Sequence, residues 1–530
     1  MSLEIDVLKI INSSDTALSL NDILQNLQHL ALQPRTLQRA IKKLIDVNRM
    51  TSLGAASNTS YWQKDVREAY AKDYRVLFVH KKDKIAGYLF YNQEVYVYTY
   101  TDQYLIDNEE PIVGLDFSIE PHITREIPIA FDENLPEGIN REIFELSLQS
   151  ANEFDMLERL SHNIGDVYFT QTGESLMPRA ERYPSFLSHQ EEILGKNIFP
   201  SILEGHTLDL SEEEIFPEGE DLSKYKEEET PGISGFQYKK LLNYDKERKL
   251  LYQDKEDSVR DYIFKPYSLI KSDPSSEYYL PHLAINEHLF MSFAKNELGF
   301  RVPETHLVKR DKDIEYHYIV KRFDRYKSYR YGKANFSTYL GLRAANKYQT
   351  TSEKMFRRMK KEILSKNERM QLLKYYFYSM LISHEDMHTK NLSLLINKGT
   401  VIMAPLYDVA CTRIYTNMKG YDTYLTIDGQ RTNITPRHFK KLVDILDVSN
   451  KEFMQEAEKI VKCYINIMPE YIARLKDLDP LEFYTMKQVS RVGRTPKWAK
   501  GEKKDFVQVL DLFVQKRIGE LNKLGWVKNN

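Results

Sequence analysis

Apolar residues change their spacing along the chain, and each change predicts a different type of structure. Up to about residue 66 they recur every three or four positions, as in Leu37, Ala40 and Leu44, which is the period of an amphipathic helix. Between about 67 and 175 the pattern changes to a period of two in segments rich in Tyr, Val and Phe, such as residues 94–100, which is typical of strands. The helical spacing dominates again from about residue 330 to the end.

These changes predict an α+β fold with four domains, because 530 residues are too many for one ordinary core. The predicted domains are residues 1–66, a small helical module; 67–175, a β-rich subdomain; 176–325, a linker followed by a β-rich lobe; and 326–530, a helical lobe. Residues 176–230 are predicted to be a linker or an insertion from two runs of charge, Ser211–Glu214 and Lys226–Glu229, since such runs are usually solvated.

The first 66 residues predict a winged helix-turn-helix. Ser19 with Asp22 three residues later indicates a helix start, and Pro34 suits the first position of a third helix. Residues 50–53 and 61–62 flank a small polar turn and predict a two-stranded wing. In this fold the third helix enters the major groove of DNA. Its polar face offers the candidate DNA-binding residues Arg35, Gln38, Arg39, Lys42 and Lys43. The alternative is an amphipathic helix with a solvated basic face.

One segment in the second half of the chain carries the strongest chemical signal. Asp386 is followed five residues later by Asn391, which is the spacing of the protein-kinase catalytic loop, H-R-D-x-x-x-x-N. Apolar runs at 392–396 and 401–406 lie on either side of an Asn-Lys-Gly turn and predict a β-hairpin. This hairpin would bring Asp408 back beside Asn391.

Asp386, Asn391 and Asp408 suit phosphoryl transfer, which needs positioning and charge neutralisation more than covalent chemistry. Asp386 is the candidate base that takes the proton of a substrate hydroxyl. Asn391 and Asp408 are candidate Mg²⁺ ligands, because this cation prefers hard oxygen donors and few protein ligands. The alternative is a polar loop that caps a hairpin and whose carboxylates are only solvated.

Two earlier segments fit the binding of a nucleotide. Gly232 and Gly235 lie in a loop of small residues whose backbone can approach phosphate closely. Lys265 ends an apolar strand and Glu287 follows on a helix, in the order of the kinase Lys and its αC Glu partner. Each feature alone is weak, because the loop fits a plain hairpin turn and both charged residues fit a solvated surface.

A further hairpin, which ends near residue 325, predicts a hinge between two lobes. Backbone groups from Lys321 to Phe323 would meet the edge of an adenine ring. Asp324 and Arg325 are candidates for contacts with ribose or phosphate, or for a structural ion pair.

Composition excludes several other classes of protein. The formal net charge is −2, so any DNA binding must come from a local basic face. Two cysteines, Cys411 and Cys463, cannot build a disulfide scaffold, which favours a reducing compartment. No apolar run reaches the ~18 residues of a membrane span, and the N-terminus lacks the pattern of a signal peptide. We therefore expect a cytoplasmic protein without a membrane partner.

Taken together, these segments resemble the HipA-like serine/threonine kinases, the toxin components of bacterial toxin–antitoxin systems. The resemblance covers roughly residues 75–480 and implies a protein-kinase-like bilobal fold with a β-rich N-lobe and a helical C-lobe. The segments that carry it are Ser383–Ser393, Ala404–Val409, Gly232–Lys239, Tyr262–Pro266 and Ile319–Arg325, with Phe131–Pro136 similar to a motif of the family's N-terminal subdomain.

The resemblance implies ATP- and Mg²⁺-dependent phosphorylation of a protein Ser or Thr. It implies that Lys265 contacts the nucleotide phosphates and that His388 and Lys390 lie near the γ-phosphate, beside the base Asp386. The family's phosphate loop carries a Ser that the kinase phosphorylates on itself. Its first possible position is Gly232 here, so Ser234 is the candidate. A phosphate there would add roughly −1.5 to −2 charge where the phosphates of ATP must lie.

The resemblance also predicts partners. The best-known targets of the family are aminoacyl-tRNA synthetases, so we expect a protein substrate of that kind. The family usually takes DNA binding from a separate antitoxin, whereas residues 1–66 predict an operator-binding module in the same chain. An antitoxin protein and a homodimer are further expected partners. Two alternatives stay open: a transcriptional regulator whose kinase-like domain only binds nucleotide, and a small-molecule phosphotransferase.

Overall fold

The computed structural model describes most of the chain as two compact units. The described residues are 2–55, 58–160, 163–177, 183–216, 235, 237–253, 260–397, 399–492 and 495–527. The first unit contains residues 1–134, 152–160 and 166–182, and the second contains residues 135–151, 161–165 and 183–530. In the described ranges, no helix combines the length and the apolar character needed to cross a membrane.

The first unit begins with three helices and a small antiparallel sheet. The helices are Leu3–Asn12, Leu20–Asn26 and Pro34–Asp46, and the strands lie in the order Leu18–Ser19, Ser60–Gln63 and Met50–Leu53. The predicted helix start is present, because Ser19 and Asp22 form a reciprocal capping box. One face of the third helix is buried, including Leu37, Ala40 and Leu44. Its interpretation as a winged helix-turn-helix stays a prediction.

A five-stranded antiparallel sheet forms the rest of the first unit. The three strands predicted between residues 74 and 100 are present and pair in sequence order. The sheet order is His122–Thr124, Tyr96–Tyr100, Lys84–Tyr91, Arg75–Lys81 and Val167–Thr170. The remaining helices of this unit are Asp102–Ile106, Ile129–Asp132 and Glu153–Arg159.

A buried arginine joins the N-terminal helices to this sheet. The guanidinium of Arg49 is fully buried and forms an ion pair with Asp102. It also donates to the Thr99 hydroxyl at 2.7 Å and to the carbonyls of Tyr100 at 3.1 Å and Ile119 at 3.0 Å. A buried charge is tolerated only when it is paired and hydrogen-bonded, so this contact ties residues 1–66 to the sheet that follows them.

The second unit contains a six-stranded sheet and a mainly helical part. The strand order is Thr305–Val308, His317–Lys321, Tyr262–Lys265, Lys240–Asp245, Leu250–Tyr252 and Thr207–Asp209, and only the last pair is parallel. A second sheet contains Gly332–Asn335, Ser393–Asn397 and Thr400–Met403, and a short ribbon pairs Arg325–Tyr326 with Tyr329–Arg330. The helices are Gly138–Leu148, Gln190–Leu194, Glu212–Ile215, Leu269–Ser272, Leu283–Asn296, Phe336–Leu340, Ser352–Glu362, Lys366–Leu381, Pro436–Leu446, Asn450–Arg474 and Phe506–Lys523.

Two buried helices support the candidate site in this unit. Lys366–Leu381 is buried from Leu372 onward except at Lys374, and Leu283–Asn296 is buried over most of its length. From Leu372 onward the first helix is apolar on nearly all sides and therefore belongs in a core. The second also buries Asn286, Glu287 and His288, whose side chains are hydrogen-bonded. The catalytic segment follows directly after the first of these helices.

Two sequence predictions need correction. Part of the predicted linker, residues 183–216, is built into the second unit: Phe186 and Ile193 are buried, and Thr207–Asp209 adds a strand to the six-stranded sheet. The C-terminal part was expected to be mainly helical, yet Glu482–Val492 and Thr495–Asp505 pair as a long antiparallel ribbon. The ribbon escaped prediction because it is rich in polar and basic residues and lacks a regular apolar alternation.

Candidate functional site

The predicted catalytic hairpin is present. Ser393–Asn397 pairs with Thr400–Met403 in an antiparallel register, and the strand Gly332–Asn335 extends the sheet on the other side. Ser383, immediately before the loop, and Asp408, after the hairpin, both have positive φ values, 54° and 57°. Such values are rare for residues with a side chain, so the surrounding packing must hold the chain in place at both turns.

Hydrogen bonds to residues after the hairpin fix the catalytic loop. A ring nitrogen of His384 lies 2.9 Å from the carbonyl oxygen of Ala410. The Glu385 carboxylate accepts the backbone N–H groups of Lys419 and Tyr421 at 3.2 and 3.0 Å. These two residues, which flank the predicted base on its N-terminal side, therefore have structural roles.

Asp386 keeps its side chain partly accessible within this fixed loop. Its side chain is 47% exposed, and its main-chain carbonyl accepts the Asn391 amide at 3.1 Å. This bond leaves the amide oxygen of Asn391 as the atom that can face a cation. The Tyr348 phenol donates to Asp386 Oδ1 at 2.5 Å, and the Nε2 atom of His388 lies 4.0 Å from the same oxygen.

The neighbours of Asp386 are neutral at physiological pH. Burial and the Asp386 carboxylate raise the pKa of the Tyr348 phenol well above its ordinary value, so this hydroxyl keeps its proton. Burial lowers the pKa of His388 to about 4. Tyr348 therefore cannot accept the proton of a substrate hydroxyl, and His388 is a weak base. Asp386 is the group suited to accept that proton.

The predicted Lys–Glu pair is present and includes a third residue. Lys265 Nζ lies 2.8 Å from Glu287 Oε1 and 2.8 Å from Asp408 Oδ1. The side chains of Lys265 and Glu287 are each 6% exposed, whereas that of Asp408 is 40% exposed. Lys265 thus joins the predicted phosphate-binding strand and αC-like helix to the predicted metal ligand.

Electrostatics in this cluster favour a charged Lys265 and a charged Asp408. Burial opposes the charge of Lys265, but Asp408 and Glu287 raise its pKa above the ordinary value. Burial likewise opposes ionisation of Asp408, yet Lys265 and Lys239 hold its pKa well below the ordinary range. Burial raises the pKa of Glu287 to about 7.

Asp408 and Asn391 suit Mg²⁺ by the chemistry of their donors. One is an ionised carboxylate and the other offers an amide oxygen, both of which are hard ligands. Over the described part of the chain, no group of three or more His, Cys, Asp or Glu side chains could hold a metal ion. A Mg²⁺ ion at this pair would therefore take most of its ligands from water and from phosphate oxygens.

Three residues that sequence reasoning did not place in the site belong to it. Glu137 pairs with Lys390 at 2.5 Å and accepts the backbone N–H of Gly235 at 3.1 Å. Lys239 is buried, and burial lowers its pKa to about 8. Tyr348 is the third. Lys239 and Glu137 stand within or just after segments that carry the family resemblance, whereas nothing in the sequence marks Tyr348.

Gly235 has a structural reason to be glycine. Its φ is +117°, and a Cβ atom at this position would come within 2.5 Å of Lys239 Nζ. The chain therefore passes close to the lysine ammonium at the end of the predicted phosphate loop. Gly232 and Ser234, with the predicted autophosphorylation, lie outside the described residues.

Comparison with known proteins finds a family model that matches part of the chain. Residues 232–470 match the family model of the HipA-like C-terminal domain. We refer to residues 232–470, which are similar to this family's domain, as the HipA-like domain. The HipA-like domain includes the predicted base, both candidate metal ligands, Lys265 and Glu287.

A solved HipA structure shows the same fold. The structure of the Shewanella oneidensis MR-1 toxin–antitoxin system HipA, HipB and its operator DNA complex matches with a TM-score of 0.53. The identity is 16%, and the match covers 86% of this chain and 100% of the other. The Helicobacter pylori proinflammatory kinase CtkA matches with a TM-score of 0.33 at 14% identity, over 52% of this chain and 91% of the other. No curated protein matches the sequence. The predicted HipA-like fold of mixed helix and strand is confirmed.

The predicted hinge of the HipA-like domain uses several of its groups internally. The backbone N–H of Lys321 donates to the Glu304 carbonyl at 2.8 Å, and Lys321 Nζ donates to the Glu192 carbonyl at 2.8 Å. Phe323 is buried, with its ring 5.6 Å from that of Tyr407. Adenine binding by this segment stays a prediction.

Asp324 forms the structural ion pair that the sequence left open. Its carboxylate accepts hydrogen bonds from Arg322 and Arg325 and from the backbone N–H of Gly165, all between 2.7 and 3.0 Å. Burial opposes the charge of Asp324, but the two arginines and the Gly165 N–H hold its pKa far below the ordinary value. The backbone carbonyl of Asn163 accepts a hydrogen bond from each arginine. A nucleotide contact by Asp324 stays a prediction that this geometry does not favour.

The candidate DNA-binding residues lie outside the HipA-like domain, on the helix Pro34–Asp46. All five, Arg35, Gln38, Arg39, Lys42 and Lys43, are exposed. Lys43 also forms ion pairs with Glu120 at 3.2 Å and Glu4 at 3.9 Å. The helix therefore presents a polar face on which one of the lysines is partly neutralised.

Proposed function

We propose that this protein is a HipA-type kinase that transfers the γ-phosphate of ATP to a Ser or Thr of a protein. The observation that carries the proposal is the position of Lys265 Nζ, 2.8 Å from both Glu287 and Asp408. Phosphoryl transfer needs the lysine–glutamate pair and the metal-binding aspartate to be in place together. The similarity of residues 232–470 to the HipA-like C-terminal domain also supports a kinase activity.

Each residue has a defined part in the reaction. Asp386 accepts the proton of the acceptor hydroxyl, whose oxygen then bonds to the γ-phosphorus while the bond from that phosphorus to the bridging oxygen of ADP breaks. Lys265 holds the phosphates, and Asn391 and Asp408 would ligate Mg²⁺. Bound Mg²⁺ would neutralise the charge that develops on the phosphate oxygens. His388 is neutral, and its Nε2 atom lies 4.0 Å from the base.

Transfer of radiolabelled γ-phosphate tests this proposal. Wild type is expected to label itself or a protein of a cell extract, and Asp386→Asn is expected to lose this labelling because the amide cannot accept the proton. Asp444→Asn, an exposed site paired with Lys440, is the matched control and should label like wild type. Equal labelling by Asp386→Asn would contradict the role of Asp386.

The acceptor and the self-modification are finer parts of the proposal. The family resemblance directs the search for the acceptor to aminoacyl-tRNA synthetases, and Ser234 is the candidate for autophosphorylation. Phosphopeptide mass spectrometry before and after expression of the wild type and of Asp386→Asn identifies both. A phosphosite that appears with both chains would not be a product of this kinase.

A second function is proposed for the helix Pro34–Asp46, which we infer binds operator DNA. Its exposed Arg35, Arg39 and Lys42 support this inference, because such side chains neutralise DNA phosphates. The HipA of Shewanella oneidensis forms a complex with HipB and operator DNA, and an antitoxin partner is proposed here by analogy. Gel shifts with DNA from upstream of the gene should show binding by wild type and weaker binding by Arg35→Ala with Arg39→Ala. Unchanged binding would contradict this role.

A further inference from the structure

The Glu137 carboxylate occupies two donors of the proposed kinase site. Oε1 lies 2.5 Å from Lys390 Nζ, and Oε2 accepts the backbone N–H of Gly235 at 3.1 Å. Lys390 belongs to the catalytic loop, and Gly235 ends the predicted phosphate loop. A single side chain from residues 135–151 thus connects both functional segments of the second unit.

Phosphate oxygens commonly accept hydrogen bonds from ammonium groups and from backbone N–H groups. The Lys390 side chain is only 3% exposed, so its charge is held inside the protein. Its backbone N–H donates to His388 Nδ1 at 3.2 Å, which fixes it within the loop that carries the proposed base. A carboxylate in this place satisfies donors that a terminal phosphate group could satisfy equally well.

Glu137 is ionised in this environment. Burial opposes its charge, but Lys390 and, from farther away, Lys347 hold the pKa of Glu137 below its ordinary value, and Gly235 N–H adds to this effect. Two anionic groups that compete for one buried ammonium repel each other strongly, because the medium around them screens little.

The helix Gly138–Leu148 sets the position of the carboxylate. Glu137 is the residue immediately before the first turn, and Asn140 lies within that turn. The Asn140 side chain accepts the backbone N–H of Lys239 at 3.1 Å and donates to the Lys239 carbonyl at 3.0 Å. This pair of bonds anchors the first turn of the helix to the chain that leaves the phosphate loop, so the contact of Glu137 with Gly235 belongs to a built arrangement.

We propose that Glu137 is a positioning residue that competes with the γ-phosphate for Lys390 and Gly235 and thereby sets the preference between nucleoside triphosphate and diphosphate. The inference rests on the proposed kinase function and deepens it. A triphosphate must displace the carboxylate, whereas a diphosphate does not reach it. Wild type therefore binds ATP less tightly, relative to ADP, than a chain in which this position is neutral.

Equilibrium titration of the full chain tests the proposal. The probes are the Mg²⁺ complexes of ADP and of adenylyl imidodiphosphate, a triphosphate that is not hydrolysed in the assay. Glu137→Gln is expected to bind the triphosphate on the order of tenfold more tightly, since one charged competitor is lost, and to bind ADP within twofold of wild type. Glu142→Gln, an exposed glutamate on the same helix, is the matched control and should change neither affinity.

Two further variants keep the outcome clear. Glu137→Asp shortens the side chain but keeps its charge, and should tighten triphosphate binding by less than Glu137→Gln does. In a chain that already carries Lys390→Met, Glu137→Gln should give no further gain, because the group for which both anions compete is absent.

The outcomes separate the two levels of the argument. Unchanged or weaker triphosphate binding by both Glu137→Gln and Glu137→Asp, with ADP binding retained, overturns the competition and leaves the kinase proposal standing. If wild type and all variants bind neither nucleotide, the proposed function itself fails. A gain in triphosphate affinity that persists in the Lys390→Met chain also overturns the competition.

Discussion

Charged side chains are concentrated both on the helix Pro34–Asp46 and around the catalytic loop. They are exposed to solvent on the helix and largely buried around the loop. On the helix, Arg39 and Lys42 are exposed to water. Around the loop, Lys265 is nearly inaccessible and lies within hydrogen-bonding distance of two carboxylates. The electrostatic attraction between an exposed cation and a distant partner is weakened by salt. Buried cations that are paired with carboxylates fix the positions of their partners, and salt hardly changes these interactions.

This difference in burial determines what a charge-removing substitution changes. A buried charge that loses its partner is left without solvation, and its neighbours must rearrange. An exposed charge that is removed changes mainly the field that a large polyanion meets. The following predictions test this contrast, from the largest expected effect to the smallest.

The largest effect is expected for Asp408→Asn. This change removes the charge of a candidate Mg²⁺ ligand and one of the two carboxylates on Lys265, so phosphoryl transfer should fall by roughly a thousandfold. Steady-state transfer from labelled ATP measures it. Asp428→Asn, which affects an exposed pair with Lys441, should retain wild-type activity. A loss of less than about tenfold for Asp408→Asn would remove this residue from the proposed machinery.

Arg49→Met should lower the free energy of unfolding of the first unit by about 3 kcal/mol. The substitution leaves Asp102 without its buried cation and removes the bonds to Thr99 and to the Tyr100 carbonyl. Urea unfolding measures the change. Arg35→Met, at an exposed arginine of the same unit, should shift the free energy by no more than about 0.5 kcal/mol. Equal effects of both would refute the contrast between buried and exposed arginines.

Nucleotide affinity should fall as the pH rises above about 8. Burial lowers the pKa of Lys239 to about 8, and a bound phosphate would raise it. Below pH 8 the lysine is charged with and without nucleotide. Above pH 8 binding requires uptake of a proton, which weakens affinity by about tenfold per pH unit until the pKa of the bound state is reached. Titration with the Mg²⁺ complex of adenylyl imidodiphosphate from pH 7 to 9 measures this.

Lys239→Met is the control for that measurement. It should bind nucleotide more weakly, with an affinity that stays flat above pH 8, because Lys265 has a raised pKa and keeps its charge. A decline with pH in this variant equal to that of wild type would assign the titration to another group.

The smallest effect is expected on DNA binding. Lys42→Ala should weaken binding a few-fold and reduce the slope of log affinity against log salt by about 1. Lys43→Ala should change the slope less, since Glu120 and Glu4 already offset its charge. Fluorescence anisotropy of labelled upstream DNA between 50 and 200 mM salt compares them. A larger effect at Lys43 would reverse the assignment.

Much of the catalytic hairpin could be predicted from the sequence, because its signals are local. The spacing from Asp386 to Asn391 and the two apolar runs around a turn lie within a short stretch of chain. The pairing of Lys265 with Glu287 could also be predicted, since the order of motifs is shared with kinases and these residues lie 22 positions apart.

The rest of the site depends on packing that no local pattern reveals. Glu137 and Lys390 are separated by 253 positions, and only the tertiary fold brings their charges together. Tyr348 lies in a polar loop whose sequence has no motif, yet its phenol reaches Asp386. Asp324 was open between a ligand contact and an ion pair, and the choice depended on Arg322 and on Gly165 from a distant segment.

The burial of Arg49 has a practical consequence for anyone who wishes to trim this protein. A truncation after the wing would remove Arg49 and leave the Asp102 carboxylate without its cationic partner. A truncated chain would thus lose stability for reasons unrelated to DNA binding. Single substitutions on the exposed face of the helix Pro34–Asp46 are therefore the better test of DNA binding.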